Sequence, residues 1–212
     1  CGGLKVDQKF LEYFQELFPK DIISKGKTKK PGHWVKQRKE FVQSRWFVPY
    51  DLGLRTYNVS LAFTFATYVG KLDKISRKNK KQAKRQKKSE YDDPFGDLAK
   101  KIFNWRPNNY NEYVKEFKKD KRYIEIIQKY NDNIEIENKN DDDDDEKNII
   151  INYENVTNLG PLFKLSKGKL EVTQLGWDIL HYDTVKEVSN FLGKLLKHPG
   201  VDSVRNVILV GG

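Results

Sequence analysis

The 212-residue chain contains no methionine and one cysteine, Cys1. A single cysteine cannot form an intrachain disulfide or a cysteine-based metal site, which excludes a disulfide scaffold and a zinc ribbon. No apolar run approaches the roughly 20 residues that span a bilayer, so we expect a soluble chain. The three histidines, His33, His181 and His198, lie far apart and lack the spaced partners of a metal site or a nucleophile–base pair. The sequence therefore predicts no catalytic residue and no metal ligand.

The two ends of the sequence indicate a segment of a larger protein, because the chain begins at Cys1, lacks methionine and stops at Gly212. Two other origins of the cysteine stay open. One is a mature start after removal of methionine. The other is the acylated cysteine of a bacterial lipoprotein, although no signal peptide supports it. We take the cytoplasm as the default location.

The formal charge of +10 is unevenly distributed. Residues 74–88 (KISRKNKKQAKRQKK) carry most of the excess, and residues 141–146 (DDDDDE) form a block of opposite sign. Such runs bury too little apolar surface to order themselves, so we expect solvated, mobile segments. The basic run could bind phosphates by counterion release, but no aromatic residue interrupts it to stack on bases. This argues against specific nucleic-acid binding, and we keep a basic module for nucleic acid or an acidic partner as the alternative function.

Hydrophobic periodicity predicts two N-terminal helices, over residues 6–18 and 31–46. In the first, four apolar residues share one face at three- and four-residue steps: Val6, Phe10, Phe14 and Leu17. Pro31 stands at the start of the second helix, where its missing N–H costs nothing. Residues 57–69 then alternate between large apolar and small or polar side chains, which predicts a strand with one apolar face. A helix over 57–69 is the alternative.

The middle of the chain, residues 73–147, reads as a charged insertion that projects from the rest. Helical spacing occurs over 95–105 and 110–130, and residues 131–147 read as disordered. Strand patterning returns over three ranges: 148–153, 161–166 and 169–173. The last two strands are joined by Lys167-Gly168 as a tight hairpin.

The C-terminal part predicts a helix from residue 178 to 197, ended by His198-Pro199-Gly200. Four residues should form its buried face: Val185, Val188, Leu192 and Leu195. Residues 207–210 (VILV) read as a strand buried on both faces. It runs into Gly211-Gly212, where the absence of Cβ atoms lets a ligand approach the backbone closely. A plain core strand ended by a turn is the alternative.

Together these patterns predict an α/β (α+β) chain in which a small sheet is flanked by helices. We divide it into residues 1–72, with two helices and a strand, the insertion 73–147, and residues 148–212.

Four motifs in this order resemble one protein family. Residues 1–10 (CGGLKVDQKF) are similar to the glycine-then-VD..F start of the second lobe in heat-shock-seventy chaperone ATPases, especially the divergent branch numbered twelve. Residues 30–35 (KPGHWV) resemble a K-R-P-x-x-W-V helix of that branch, and 58–65 (NVSLAFTF) a strand. Residues 199–212 resemble its P-x-V-S-x-V step and its L-V-G-G adenosine motif. The resemblance covers about residues 1–72 and 160–212, with no counterpart for the insertion.

The resemblance implies an actin-like ATPase fold, of which this chain is the outer part of lobe II. It also implies a function, the adenosine-side wall of an ATP/ADP cleft, with Mg²⁺ in the intact parent. The implied nucleotide-binding residues are Arg45, Trp46, Gly211 and Gly212. Arg45 keeps the family's chemistry, whereas Trp46 replaces an arginine that packs on the base. An indole could stack there instead, or Trp46 could be an ordinary core aromatic.

The chain departs from the family pattern in two further respects. Val42 stands where the family has a ribose-binding carboxylate, and Pro49 where it has a small polar residue. The family's phosphate loops and its hydrolytic acid and lysine have no match, so we expect no ATP hydrolysis by this chain alone. The implied partners are an adenine nucleotide and a protein client or regulator.

Overall fold

The computed structural model describes residues 2–46, 56–131, 136–139, 148–151, 153–166 and 168–198, with the backbone alone for Arg45 and Trp46. The α-helices are α1 Gly2–Leu17, α2 Lys20–Ser24, α3 Pro31–Trp46, α4 Phe63–Arg85, α5 Pro94–Asn104, α6 Tyr110–Phe117, α7 Ile124–Tyr130 and α8 Gln174–Leu195. The strands are β1 Tyr57–Ser60, β2 Ile136–Lys139, β3 Asn148–Ile151, β4 Phe163–Ser166 and β5 Lys169–Val172. Shorter turns are a π-helical turn over Lys25–Lys29 and 3₁₀ turns over Lys121–Tyr123 and Tyr153–Asn155.

A three-stranded antiparallel sheet of order β1-β5-β4 lies among the helices. Tyr57 pairs with Val172 in β5, and Ser166 of β4 pairs with Lys169. The tight hairpin between β4 and β5 includes Gly168, whose φ of +74° is one that residues with a Cβ rarely adopt. Strands β2 and β3 form a second antiparallel pair. The predicted α+β class, a small sheet with flanking helices, is confirmed.

The two predicted N-terminal helices are confirmed and meet in an aromatic core. Phe10 of α1 stacks on Phe41 of α3 with ring centroids 3.8 Å apart. Phe14 meets Phe65 of α4 edge to face, at 4.9 Å. All four rings are fully buried, so α1, α3 and α4 share one apolar interior.

The strand prediction for residues 57–69 is correct only at its start. Strand β1 ends at Ser60, and α4 begins at Phe63. Within α4, Phe65 and Val69 are buried four residues apart, while Phe63 is 68 % exposed. The helical alternative is therefore correct from Phe63 onward, because burial follows the step of a helix and not the alternation of a strand.

The basic run 74–88 is not a disordered tail, since α4 continues through it to Arg85. Ser76 and Ala83 are buried on the side of α4 that packs on α5. The Ser76 Oγ accepts a hydrogen bond from the Phe95 N–H, and Asp93 Oδ1 accepts one from the Gly96 N–H, both at 3.0 Å. Hydrogen bonds from Ser76 and the Gly96 amide lower the pKa of Asp93. The prediction of a solvated, mobile basic segment is wrong for residues 74–85.

The helices that follow, α5 to α7, also belong to the main core. Their buried apolar side chains join the same cluster as α1, the sheet and α8: Leu98, Ile102, Tyr110, Tyr113, Val114, Tyr123 and Ile127. The predicted helical spacing over 95–105 is confirmed as α5. The single helix predicted over 110–130 is divided into α6, a 3₁₀ turn and α7. The expectation of a middle segment that merely projects is therefore wrong for residues 94–131.

Asn131, which follows α7, joins this middle segment to the last part of the chain. Its Nδ2 donates to the carbonyl oxygens of Ile127 and Asn158, at 2.8 and 2.6 Å. Its Oδ1 accepts from the amides of Thr157 and Asn158, at 2.9 and 3.0 Å. Both donor and acceptor ends of one buried amide are thus fully used. The predicted disorder of 131–147 falls largely outside the described residues, of which 136–139 form β2.

Helix α8 starts four residues before the predicted start, because the Thr173 Oγ1 caps it by accepting from the Gly176 N–H at 3.1 Å. Its first turns are buried. The predicted buried face farther along is wrong in the described structure, since Val185 is 61 % exposed and Val188 44 %. The described packing partners cover only the earlier turns of the helix. The predicted strand 207–210 lies outside the described residues.

Candidate functional site

The C-terminal half of α3 is fixed against β1 by Gln37. This side chain is fully buried, although glutamine is polar. Its Nε2 donates to the Ser60 carbonyl oxygen at 3.2 Å, and its Oε1 accepts from the Ala62 N–H at 2.8 Å. The amide thus satisfies the backbone where β1 ends and α4 begins, which sets the position of α3 beside the strand.

A polar depression of ≈ 340 Å³ lies between the last turns of α3 and the start of β1. Its lining residues are Glu40, Gln43, Ser44, Thr56, Tyr57 and Asn58. The Ser44 Oγ bonds to the Asn58 carbonyl oxygen at 3.1 Å, which joins the helix side of the depression to the strand side. Glu40 is half-exposed and Gln43 exposed. The depression therefore presents a carboxylate and an amide to solvent.

The strand side of the depression is held by Tyr57. Its ring packs on Trp177 of α8 with centroids 5.2 Å apart, and its hydroxyl donates to the Gln174 Oε1 at 3.2 Å. Since Trp177 also packs on Phe41 at 5.6 Å, the depression rests on the aromatic core. We infer a preformed surface, because the supporting rings are packed without any ligand.

The predicted site residues stand in different relations to this depression. Arg45 and Trp46 are the last two residues of α3, directly after Gln43 and Ser44, and their side chains lie outside the described part. Gly211 and Gly212 also lie outside the described residues, as does Pro49. The predicted meeting of the diglycine with α3 therefore stays a prediction.

Sequence reasoning missed Glu40. The resemblance placed the ribose-binding position at Val42, which has no carboxylate, whereas the structure shows a carboxylate two residues earlier that lines the depression. Glu40 adjoins the buried Phe41 in sequence, and this is the one signal that could have found it. A charged residue beside a core aromatic lies at the rim of a buried helix face.

A second polar cluster joins α8 to the 3₁₀ turn at Lys121–Tyr123. The Tyr123 hydroxyl donates to the Asp178 carboxylate, and the Arg122 guanidinium pairs with Asp120 at 2.6 Å. Burial, with the Asp178 charge as a second cause, raises the pKa of Tyr123. The hydrogen bond from Arg122 lowers the pKa of Asp120. These groups pair with one another, so we assign them a structural role.

The raised pKa of Tyr123 predicts alkaline destabilisation. A phenol whose pKa is higher in the folded than in the unfolded chain contributes stability below the unfolded pKa of about 10, and that stability is lost at higher pH. We expect the free energy of unfolding to fall by up to about 1.4 kcal/mol per pH unit for this group above pH 10. Tyr13, whose pKa burial also raises, acts in the same direction.

Urea unfolding of the chain and of Tyr123→Phe, measured between about pH 8 and 11, checks this expectation. The variant lacks the titrating phenol, so its stability should fall less steeply with pH than that of the unsubstituted chain. Parallel curves for the two proteins would contradict the assignment to Tyr123. The lysines titrate in both proteins and therefore cancel in the comparison.

The described residues contain no group of three His, Cys, Asp or Glu side chains arranged to hold a metal ion. They therefore provide no Mg²⁺ ligand set, and we assign no metal chemistry to them. Within the same residues, no helix combines the length and the apolar character that crossing a bilayer requires. Comparison of the chain with protein-family models, curated proteins and solved structures found no match.

Proposed function

We propose that the chain binds an adenine nucleotide along the C-terminal half of α3 and forms the adenosine-side wall of an ATP/ADP cleft in an atypical, heat-shock-seventy-like chaperone ATPase. The depression between α3 and β1 carries this proposal. It presents the Glu40 carboxylate and the Gln43 amide immediately before the Arg45-Trp46 pair that ends the helix. The motif resemblance of residues 1–72 and 160–212 supports the same assignment.

Each group on this helix has a chemical role in the proposal. A carboxylate accepts hydrogen bonds from the two ribose hydroxyls, and charge-assisted bonds of this kind are roughly twice as strong as neutral ones. Position 46 follows position 43 by three residues, a spacing that brings positions to the same side of a helix. An indole at position 46 offers a flat apolar surface for a purine, and the Arg45 guanidinium offers a cation for a phosphate.

The proposed contribution of this chain is binding and orientation. Nucleotide hydrolysis needs phosphate-cradling loops, a metal and a positioned water acting together. In the proposal, those groups belong to other parts of the parent protein, and closure over the nucleotide changes the parent's conformation by favouring one of its states. The diglycine Gly211-Gly212 would approach the nucleotide from the other side of the adenosine.

Calorimetric titration of the 212-residue chain with ADP tests the proposal. We expect saturable binding that weakens by about tenfold or more in Glu40→Gln, since a hydrogen bond to a charged group contributes about 1.5–3 kcal/mol. Trp46→Ala should weaken binding by a similar factor through loss of stacking. Arg45→Ala should weaken ADP more than adenosine. The matched control is Glu112→Gln, an exposed glutamate of α6, which should bind ADP as the unsubstituted chain does.

A second ligand makes the assignment of Glu40 specific. The nucleotide 2′-deoxy-ADP lacks one ribose hydroxyl, so it should bind the unsubstituted chain more weakly than ADP but should lose little further affinity in Glu40→Gln. Such coupling between a ligand group and a side chain shows that the two interact. The proposal is wrong if ADP does not bind, or if the Glu40, Arg45 and Trp46 variants all bind it with unchanged affinity.

A further inference from the structure

Nearly all of the chain's net charge lies on one helix and the few residues that follow it. Residues 71–88 hold ten lysines and arginines against one acid, Asp73, which gives +9 of the chain's +10. Helix α4 orders most of this segment, up to Arg85. An ordered helix holds its cations at fixed spacing, whereas a disordered tail does not. The charge is therefore a surface of defined shape.

The cations occupy one half of the α4 surface. Eight of them are exposed: Lys71, Lys74, Arg77, Lys78, Lys80, Lys81, Lys84 and Arg85. At about 100° per residue, these positions cover roughly half of the helix circumference, and the side packed on α5 through Ser76 and Ala83 lies opposite. We call this half the basic face of α4. A groove of ≈ 370 Å³ runs along it, lined by Lys74, Arg77, Lys78, Lys81, Gln82 and Arg85.

Little of this charge is neutralised by the described part of the chain. Arg77 pairs with Asp73 one turn earlier at 2.8 Å. The described residues provide no salt bridge to Lys74, Lys78, Lys81 or Arg85. Like charges this close repel one another, which disfavours the helix unless a partner relieves the repulsion. The arrangement thus fits a polyanion.

The shape of the basic face distinguishes between classes of polyanion. A flat anionic membrane contacts a narrow strip of a helix, and an acidic peptide follows one line along it. Cations over half of the circumference can contact two anionic strands at once, one on each side. A helix about 10–12 Å wide fits the major groove of a duplex, which is about 12 Å wide and bordered by two phosphate backbones.

The residue types on the face indicate which part of a duplex it contacts. No aromatic residue occurs within 74–88, so the face offers no stacking surface for the bases of a single strand. Lysine binds phosphate as a point charge and predominates in this segment. Contacts to phosphates position a protein on a duplex without reading its sequence.

From these observations we propose that the basic face of α4 is a sequence-independent docking surface for the phosphate backbones of double-stranded nucleic acid. Residues 74–85 extend for about 18 Å along the helix axis. A duplex carries about one charge per 1.7 Å of its axis, so about ten phosphate charges lie alongside the face. Binding would be driven by release of counterions and would be independent of the nucleotide site on α3.

The test measures fluorescence anisotropy of a labelled DNA duplex of about 20 base pairs and mixed sequence, titrated with the chain at several salt concentrations between about 50 and 200 mM. One variant removes four cations from the basic face: Lys74→Gln, Lys78→Gln, Lys81→Gln and Arg85→Gln. The matched control removes four exposed lysines from other helices: Lys36→Gln, Lys39→Gln, Lys115→Gln and Lys119→Gln. Both variants lose the same net charge, and glutamine keeps helix propensity close to that of lysine.

We expect the unsubstituted chain and the control to bind the duplex with a steep salt dependence. The face variant should bind more than about tenfold more weakly at low salt, and its slope of log K against log salt should be smaller by about 3–4, at about 0.9 per phosphate contact. Far-ultraviolet circular dichroism should show unchanged helix content, and ADP titration should give an unchanged affinity in the face variant.

Three results would overturn the proposal. The first is an equal loss of affinity in the two variants, which would mean that net charge alone governs binding. The second is the absence of duplex binding at about 50 mM salt. The third is displacement of the duplex by polyglutamate or by anionic lipid vesicles at matched charge concentration, which would identify a different class of partner.

Discussion

Replacing Phe14 by alanine is expected to lower the free energy of unfolding by about 3–5 kcal/mol. The ring is fully buried and contacts four other aromatic rings, those of Phe10, Phe18, Trp34 and Phe65, at centroid distances of 5.7, 4.9, 6.1 and 4.9 Å. These rings belong to α1, the segment after it, α3 and α4. A cavity at their centre cannot close without moving several helices, so the full cost of lost contacts should be felt.

Urea unfolding followed by circular dichroism measures this loss. The matched control is Phe191→Ala in α8, where the same ring is 64 % exposed, and the expected change there is less than about 0.5 kcal/mol. Both substitutions occur within helices, so the difference in helix propensity between phenylalanine and alanine cancels. Equal destabilisation at the two positions would show that the aromatic cluster is not the centre of the core.

Replacing Asn131 by leucine is expected to cost about 2–4 kcal/mol, the second large effect. The substitution keeps the volume of the side chain but removes all four of its hydrogen bonds. The amides of Thr157 and Asn158 lose their acceptor, and the carbonyl oxygens of Ile127 and Asn158 lose a donor. Buried backbone groups without partners each cost about 1–3 kcal/mol, partly relieved where water reaches them.

The control for this prediction is Asn111→Leu, an exposed asparagine of α6, which should change stability by less than about 0.5 kcal/mol. The two variants are compared by urea unfolding and by limited proteolysis. The Asn131 variant should also become more sensitive to protease between α7 and β4, because the amide bonds residues 157–158 to the end of α7. Unchanged stability would contradict the view that the middle segment is held by this side chain.

The sequence predicted those elements in which periodicity and end signals agree. Helix α1 has apolar residues at three- and four-residue steps, and α3 has Pro31 at its first position, so both were found nearly to the residue. The hairpin between β4 and β5 was found because Gly168 marks its turn. In each case, the local preference and the tertiary contacts favour the same structure.

The sequence misled where a segment changes structure within an apparently uniform pattern. Residues 57–65 alternate, but Gln37 satisfies the backbone after Ser60 and lets the chain turn into α4. That contact joins residues 25 positions apart and leaves no trace in a local pattern. Likewise, Ser76 and Ala83 give the lysine-rich half of α4 a narrow packing surface that composition alone hides.

The candidate site was predictable only in part. The end of α3 was singled out correctly as the place of interest under the resemblance, since the polar depression adjoins it. Glu40 was missed because the motif assigned the carboxylate position to Val42, and a motif gives no information about which neighbouring residue points into a recess. The predicted partner of this site, the diglycine at the end of the chain, stays a prediction.

Helix α1 contacts α8 through pairs such as Lys9 and Asp183, which lie 174 positions apart. A ribosome adds about 5–20 residues per second, so the first helix would wait roughly ten to thirty-five seconds for its partner to be made. During that interval, the apolar side of α1, with Phe10 and Phe14, has no completed core to enter. Newly made α1 is thus a natural binding target for cellular chaperones that hold exposed aromatic segments until synthesis is finished.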